Sequence, residues 1–145
     1  MGVLIDNRQT LRSVPNQKIR KNAQAILNAL DSPDAELSIV IVDDQEIAEL
    51  NQTYLNRQGP TNVIAFAMRE GAFGDISPQL LGDVVISIET AYRESAEAGI
   101  DPLDRFDQLL VHGILHLFGY DHEAVENDAA KMEEKSEELL RLIGT

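Results

Sequence analysis

All three histidines of this 145-residue chain fall within eleven residues, in the segment His112-Gly-Ile-Leu-His116-Leu-Phe-Gly119-Tyr-Asp-His122. Around them Phe106, Leu109, Leu110, Ile114 and Leu117 follow helical spacing, with Asp101-Pro102 as a start signal and Gly119 as a stop. On such a helix His112 and His116 stand about 6 Å apart along the axis and about 40° apart around it, so both imidazoles can reach one point. A further helical turn would carry a third ligand away from that point. Gly119 removes the difficulty, because glycine can adopt the left-handed conformation that ends a helix and turns the chain back, bringing His122 towards the first two.

Three converging imidazoles suit a metal ion. The chain has no cysteine, so a transition metal would have to be held by imidazole and carboxylate, and His112, His116 and His122 are the expected ligands of one zinc ion. Three neutral histidines leave the fourth tetrahedral position open, the layout of a catalytic site, where the metal activates water near neutral pH. The competing reading is three ordinary core histidines on an apolar helix; it accounts for any one of them alone but not for the spacing of all three. That spacing matches the metzincin metalloprotease pattern H-E-x-x-H-x-x-G-x-x-H in every position but one. Gly113 stands where those proteases carry the glutamate that acts as general base, and glycine cannot take a proton. Either another residue is the base, or the metal-bound water and substrate phosphates share the task.

The length and a hydrophobic content of 43% suit a single domain spanning residues 1–145 that folds without disulfides. No apolar run approaches the roughly 18 residues of a membrane span, and the N-terminus has no secretory h-region, so a soluble cytoplasmic protein is expected. The net charge of −13 argues against a general nucleic-acid coat protein. Its distribution is uneven: Arg8, Arg12, Lys18, Arg20 and Lys21 face only Asp6 in residues 1–21, whereas residues 121–145 hold eight acids against three bases. An RNA partner would be met by the N-terminal region and the central arginines; otherwise both charge runs are solvated surface.

The element pattern predicts a strand at Val3 to Ile5. A helix follows from Asn16, carrying Ile19, Ala23, Ile26, Leu27 and Leu30 on one stripe. Leu37-Ser-Ile-Val-Ile-Val42 suits a strand buried on both faces. Asp43 or Asp44 caps a helix through Ile47, Leu50 and Tyr54. After a loop at Leu55 to Pro60 come a strand at Val63 to Met68, an irregular stretch at Gly71 to Pro78, a strand at Val84 to Ile88 and a helix at Glu89 to Ala98 closed by Gly99. The histidine helix and a last helix carrying Val125, Ala129, Met132, Leu139 and Ile143 complete the chain. This predicts an α/β (α+β) fold, one compact domain with a small mixed sheet, about five helices and a metzincin-like zinc site on a helix.

The segment His112-Gly-Ile-Leu-His-Leu-Phe-Gly-Tyr-Asp-His122 resembles the signature of the YbeY family of bacterial zinc-dependent endoribonucleases, the rRNA maturation factors. Leu50-Asn51 with Tyr54, Pro60-Thr-Asn-Val-Ile-Ala-Phe66 and Leu81-Gly-Asp-Val-Val-Ile-Ser87 resemble further family segments in the same order. The resemblance implies a metalloprotease-like α/β core, zinc on the three histidines, and cleavage of single-stranded RNA in small-subunit ribosomal RNA maturation and ribosome quality control. It also implies a small-subunit ribosomal protein and a ribosome-associated GTPase as partners, with neither DNA nor membrane among them. Many members carry an arginine directly after the tyrosine that corresponds to Tyr54; here Leu55 stands there. Arg57, two residues on, is the candidate to take over phosphate contact and joins His112 and His116 as a catalytic candidate; the alternative is that it is plain surface.

Asp121 is a candidate to orient a ligand histidine or to cap the next helix. Phe66 and Tyr120 are candidates for base stacking or core, and Asp83 for an approach to the site or for a turn at a strand edge. Two other functions remain open on the sequence alone. One is a metzincin-type zinc peptidase, which Gly113 opposes. The other is a non-catalytic assembly factor that uses zinc only for stability.

Overall fold

The computed structural model describes residues 2–68, 79–120 and 126–144. The expectations for Gly71 to Pro78, for Asp121 and His122, and for Val125 fall outside these residues, as does that for the side chain of Ala129. Among the described residues four strands and five helices follow in the order β1 (Val3–Asn7), α1 (Asn16–Ala29), β2 (Glu36–Val42), α2 (Asp44–Leu55), β3 (Val63–Ala67), β4 (Leu80–Ser87), α3 (Ile88–Ala98), α4 (Pro102–Leu117) and α5 (Glu126–Leu142). The mixed α/β domain expected from the pattern is what forms.

The strands make one sheet in the order β1-β2-β4-β3, with β1, β2 and β4 parallel and β3 antiparallel on the edge. β2 and β4 are central, and their sequences fit: β2 buries Leu37, Ile39 and Ile41 on one face and Val42 on the other, as a strand covered on both sides must. β4 starts at Leu80, earlier than the Val84 read from the sequence, because Gly82 and Asp83 interrupt the apolar run while their backbone still pairs with Ala67 and Phe66.

Register assigns the two faces. Ile5, Ile39, Val84 and Ala65 lie side by side and pack under α1 and α4 in the main core, with Ile26, Leu27, Leu110 and Ile114. The opposite face carries Val85 and Ile64 and is covered by α2 through Ile47 and Leu50. The helix termini follow their caps. Asp43 accepts from the Glu46 N–H to open α2, and Asp101 from the Leu103 N–H to open α4.

At the C-terminus of α4 the Tyr120 N–H bonds the Leu115 carbonyl and the Gly119 N–H bonds that of His116, both at 3.0 Å. Gly119 has φ +93°. This is a Schellman turn, and it places the glycine at the position where a side chain would be strained. The chain therefore leaves α4 immediately after the second histidine, as the sequence requires of it.

Candidate active site

α4 lies across the β3–β4 half of the sheet, and the closeness of that packing follows from a residue without a side chain. A Cβ on Gly113 would stand 2.6 Å from Val84 Cγ1 and 3.3 Å from Val63 Cγ2, well inside the usual 3.5–4.0 Å contact between carbons. The position that holds a catalytic glutamate in the metzincin pattern thus faces the sheet here, against β-branched side chains. That disposes of a general base at residue 113 on steric as well as chemical grounds.

Half-buried His112 and His116 lie on the flank of α4. Their Nε2 atoms are 3.0 Å apart, with ring centroids 4.5 Å apart and planes inclined at 61°. Two nitrogens bonded to one tetrahedral zinc at about 2.0–2.1 Å would be separated by about 3.3 Å. The pair is therefore disposed as two adjacent ligands would be, and the donor set of neutral imidazoles suits zinc. Among the described residues no three His, Asp or Glu side chains form a metal-holding group, and the expected third ligand, His122, lies outside them.

The histidines open into a cavity of about 510 Å³. One wall is α4, through His112, Gly113 and His116; the floor is β3, through Val63, Ala65 and Ala67; the far wall is the end of α2 and the loop after it, through Leu55 and Arg57. The sequence puts Arg57 and the histidines far apart, and the fold brings them to one cavity. Leu55 lines the same wall.

Two buried or partly buried polar residues fix these walls. Asn51, 5% exposed, donates from Nδ2 to the Gly59 carbonyl, while its own carbonyl accepts from the Arg57 N–H. The loop that carries Arg57 is thereby clamped to the last turns of α2. Asn62, just before β3, donates to the Glu94 carboxylate of α3, which also accepts from Arg105 of α4 at 3.0 Å. This chain of bonds ties the start of β3 to the helix bearing the histidines. Asn51 and Asn62 were visible in the sequence only as parts of family-like segments; their clamping roles follow from contacts between distant elements.

The remaining candidates divide between the cavity and the core. Tyr120 lines the cavity. Phe66 is on the other face of the sheet, packed against the α2 cluster and edge-on to Tyr54 with centroids 5.5 Å apart, so it does not face the histidines. Asp83 is not a turn residue: it lies within β4, beside Phe66 in register. Burial pushes its carboxyl above the ordinary range against a hydrogen bond with Ser38, and it is not among the cavity's lining residues.

Comparison with known proteins decides the family. The endoribonuclease YbeY family profile matches residues 4–144. The endoribonuclease YbeY of Geobacter sulfurreducens is 50% identical over 144 residues, covering 99% of this chain and 96% of that one. The chain belongs to the endoribonuclease YbeY family. The endoribonuclease YbeY of Aquifex aeolicus is 46% identical over 123 residues, covering 85% of this chain and 80% of the relative. The solution structure of TM1509 from Thermotoga maritima superposes with a TM-score of 0.66 at 20% identity, over 97% of this chain and 89% of that one, and shows the same fold. YbeY proteins are named as nucleases, which are hydrolases. No described helix is long and apolar enough to cross a membrane.

Proposed function

We propose that this chain is a zinc-dependent endoribonuclease that cleaves single-stranded RNA in the cytoplasm, serving small-subunit ribosomal RNA maturation and ribosome quality control. The observation that carries the reading is the pair of imidazole Nε2 atoms 3.0 Å apart in a cavity that also holds Arg57, in a chain of the YbeY family. His112 and His116 would hold the ion from α4, with His122 as the third ligand beyond the Gly119 turn. When bound, zinc supplies Lewis-acid polarisation of the phosphodiester and acidifies a water nucleophile. Arg57, exposed at the cavity wall, would hold a phosphate oxygen through its planar, permanently charged guanidinium. Gly113 leaves no carboxylate at the metzincin base position, which weighs against peptide hydrolysis. The family resemblance extends the proposal to a small-subunit ribosomal protein and a ribosome-associated GTPase as partners.

The test joins elemental analysis to cleavage assays on unstructured RNA and on casein with one preparation. About one zinc per chain, RNA cleavage and intact casein are expected. His116→Ala should lose most of the metal and the RNA cleavage together. Full zinc content in that variant would remove the metal assignment, and casein hydrolysis would replace the nuclease reading with the peptidase one.

A further inference from the structure

β3 is the edge strand of the sheet, and its register determines which backbone groups face outward. The Met68 N–H bonds the Leu81 carbonyl and the Ser87 N–H bonds the Asn62 carbonyl, each at 3.0 Å. Both are pairs of the same antiparallel register that sets Ile64 opposite Val85 and Phe66 opposite Asp83. In an antiparallel ladder bonded and non-bonded pairs alternate. Residues 62, 64, 66 and 68 therefore spend their backbone groups on β4, and Val63, Ala65 and Ala67 direct theirs away from the sheet. Among the described residues none of these outward N–H groups has a hydrogen-bond partner. An outward-facing row of this kind is a template for a second extended chain.

This edge is the floor of the histidine cavity. Val63, Ala65 and Ala67 line it together with His112 and His116, and the small side chains at 65 and 67 leave the backbone open to close approach. Successive outward N–H groups are about 6.8 Å apart along a strand, close to the reach of one nucleotide in an extended single strand. The charge of the cavity also selects its occupant. In a chain of net charge −13, the described lining carries no carboxylate, and its one formally charged side chain is Arg57.

We infer that the outward backbone N–H groups of Val63, Ala65 and Ala67 hold phosphate oxygens of a single RNA strand laid along β3, between Arg57 and the histidine pair. The inference rests on the reading of this cavity as the RNA-cleaving site. It adds neutral donors, interleaved with the outward carbonyls of the same residues, that read the phosphodiester backbone and no base, so it favours an extended strand over a duplex and is indifferent to sequence. A peptide pairing as a fifth strand would use the same groups, but it has no use for Arg57.

Two measurements on the zinc-loaded protein test it. In the first, amide resonances are followed on addition of a short 2′-O-methyl oligouridylate, which keeps the phosphates. The Val63, Ala65 and Ala67 amide protons should shift, while those of Ile64 and Phe66, bonded to β4, stay nearly still. In the second, Ala65→Pro deletes one outward N–H without breaking a ladder bond, a substitution that edge strands tolerate. Its kcat/KM on RNA should fall roughly tenfold, carried in KM, with zinc content unchanged. The ratio to the parent should persist at raised salt, because a neutral donor releases no counterion. Still amides at residues 63, 65 and 67 on saturation, or the same shifts with an extended peptide and none with the oligonucleotide, would overturn the inference. Should Ala65→Pro fail to fold, the amide measurement decides by itself. If the parent binds the oligonucleotide through these amides yet cleaves no RNA, the inference stands and the nuclease reading fails.

Discussion

Gly113→Ala isolates the packing that sets the histidines over the sheet. The added Cβ would lie 2.6 Å from Val84 Cγ1 and 3.2 Å from Cγ2, so about 1 Å of separation must be found to reach ordinary contact. Val84 is fully buried, so a rotamer that turned its Cβ hydrogen towards residue 113 would drive a γ-methyl into the packed core, and α4 has to lift. Overpacking of this kind costs about 1–3 kcal/mol. The better helix propensity of alanine returns about 1 kcal/mol. The expected net loss is about 0–2 kcal/mol, or up to roughly 6 °C in Tm for a chain of this length.

His112 and His116 would travel with α4 as a pair, so zinc should be retained, while their displacement from β3 should reduce RNA cleavage by more than tenfold, since misplacement by about 1 Å can cost up to a hundredfold. Removing both γ-carbons in Gly113→Ala/Val84→Ala should recover much of the activity that Gly113→Ala loses. The assays are thermal unfolding, zinc analysis and RNA cleavage on the three proteins. A single variant that gains about 1 kcal/mol, as propensity alone requires, would refute the close approach. The same geometry means that Gly113→Glu should gain no casein hydrolysis, because its carboxylate would be driven towards Val84 and Val63.

Asp44 joins the N-termini of α2 and α3: its Oδ1 accepts from Ser87 and Thr90 at 2.6 Å each, and Oδ2 accepts from Arg93 at 3.2 Å. Burial opposes the charge, but the bonds from Ser87, Thr90 and Arg93 prevail and hold its carboxyl below the usual value. A depressed folded-state pKa means the contribution is present above the unfolded value of about 3.9 and is lost as pH falls through the folded one. Asp44→Ala, which strands the buried hydroxyls of Ser87 and Thr90, should cost about 2–3 kcal/mol at pH 7. Denaturant titrations should show the gap narrowing below about pH 3.9; a gap independent of pH would show that the charge plays no part. Arg57→Ala should leave zinc and folding intact while slowing RNA cleavage on the order of a hundredfold, about 2.7 kcal/mol of transition-state stabilisation. Arg57→Lys should recover only part at fixed salt, and a variant cleaving at the parent rate would make Arg57 ordinary surface.

The histidine helix was legible in the sequence because every demand it meets is local. The i,i+4 spacing puts His112 and His116 on one flank, Pro102 starts the helix, and Gly119 permits the turn that ends it. The elements on either side were legible for the same reason, since periodicity and caps act within a few residues. The strand order β1-β2-β4-β3 was not, because nothing local in Val63-Ile-Ala-Phe-Ala67 says that this strand runs antiparallel on the edge. The start of β4 was missed because Gly82 and Asp83 contradict strand propensity, and only pairing with β2 and β3 holds them there. By itself the sequence determined a segment with two histidines one turn apart at the end of a helix and carried the resemblance to the family. Only the tertiary structure brought Arg57 and the β3 edge to that segment, through Asn51, Asn62 and the missing side chain of Gly113. These contacts join residues far apart in the chain, and their energy exists only once the elements have packed.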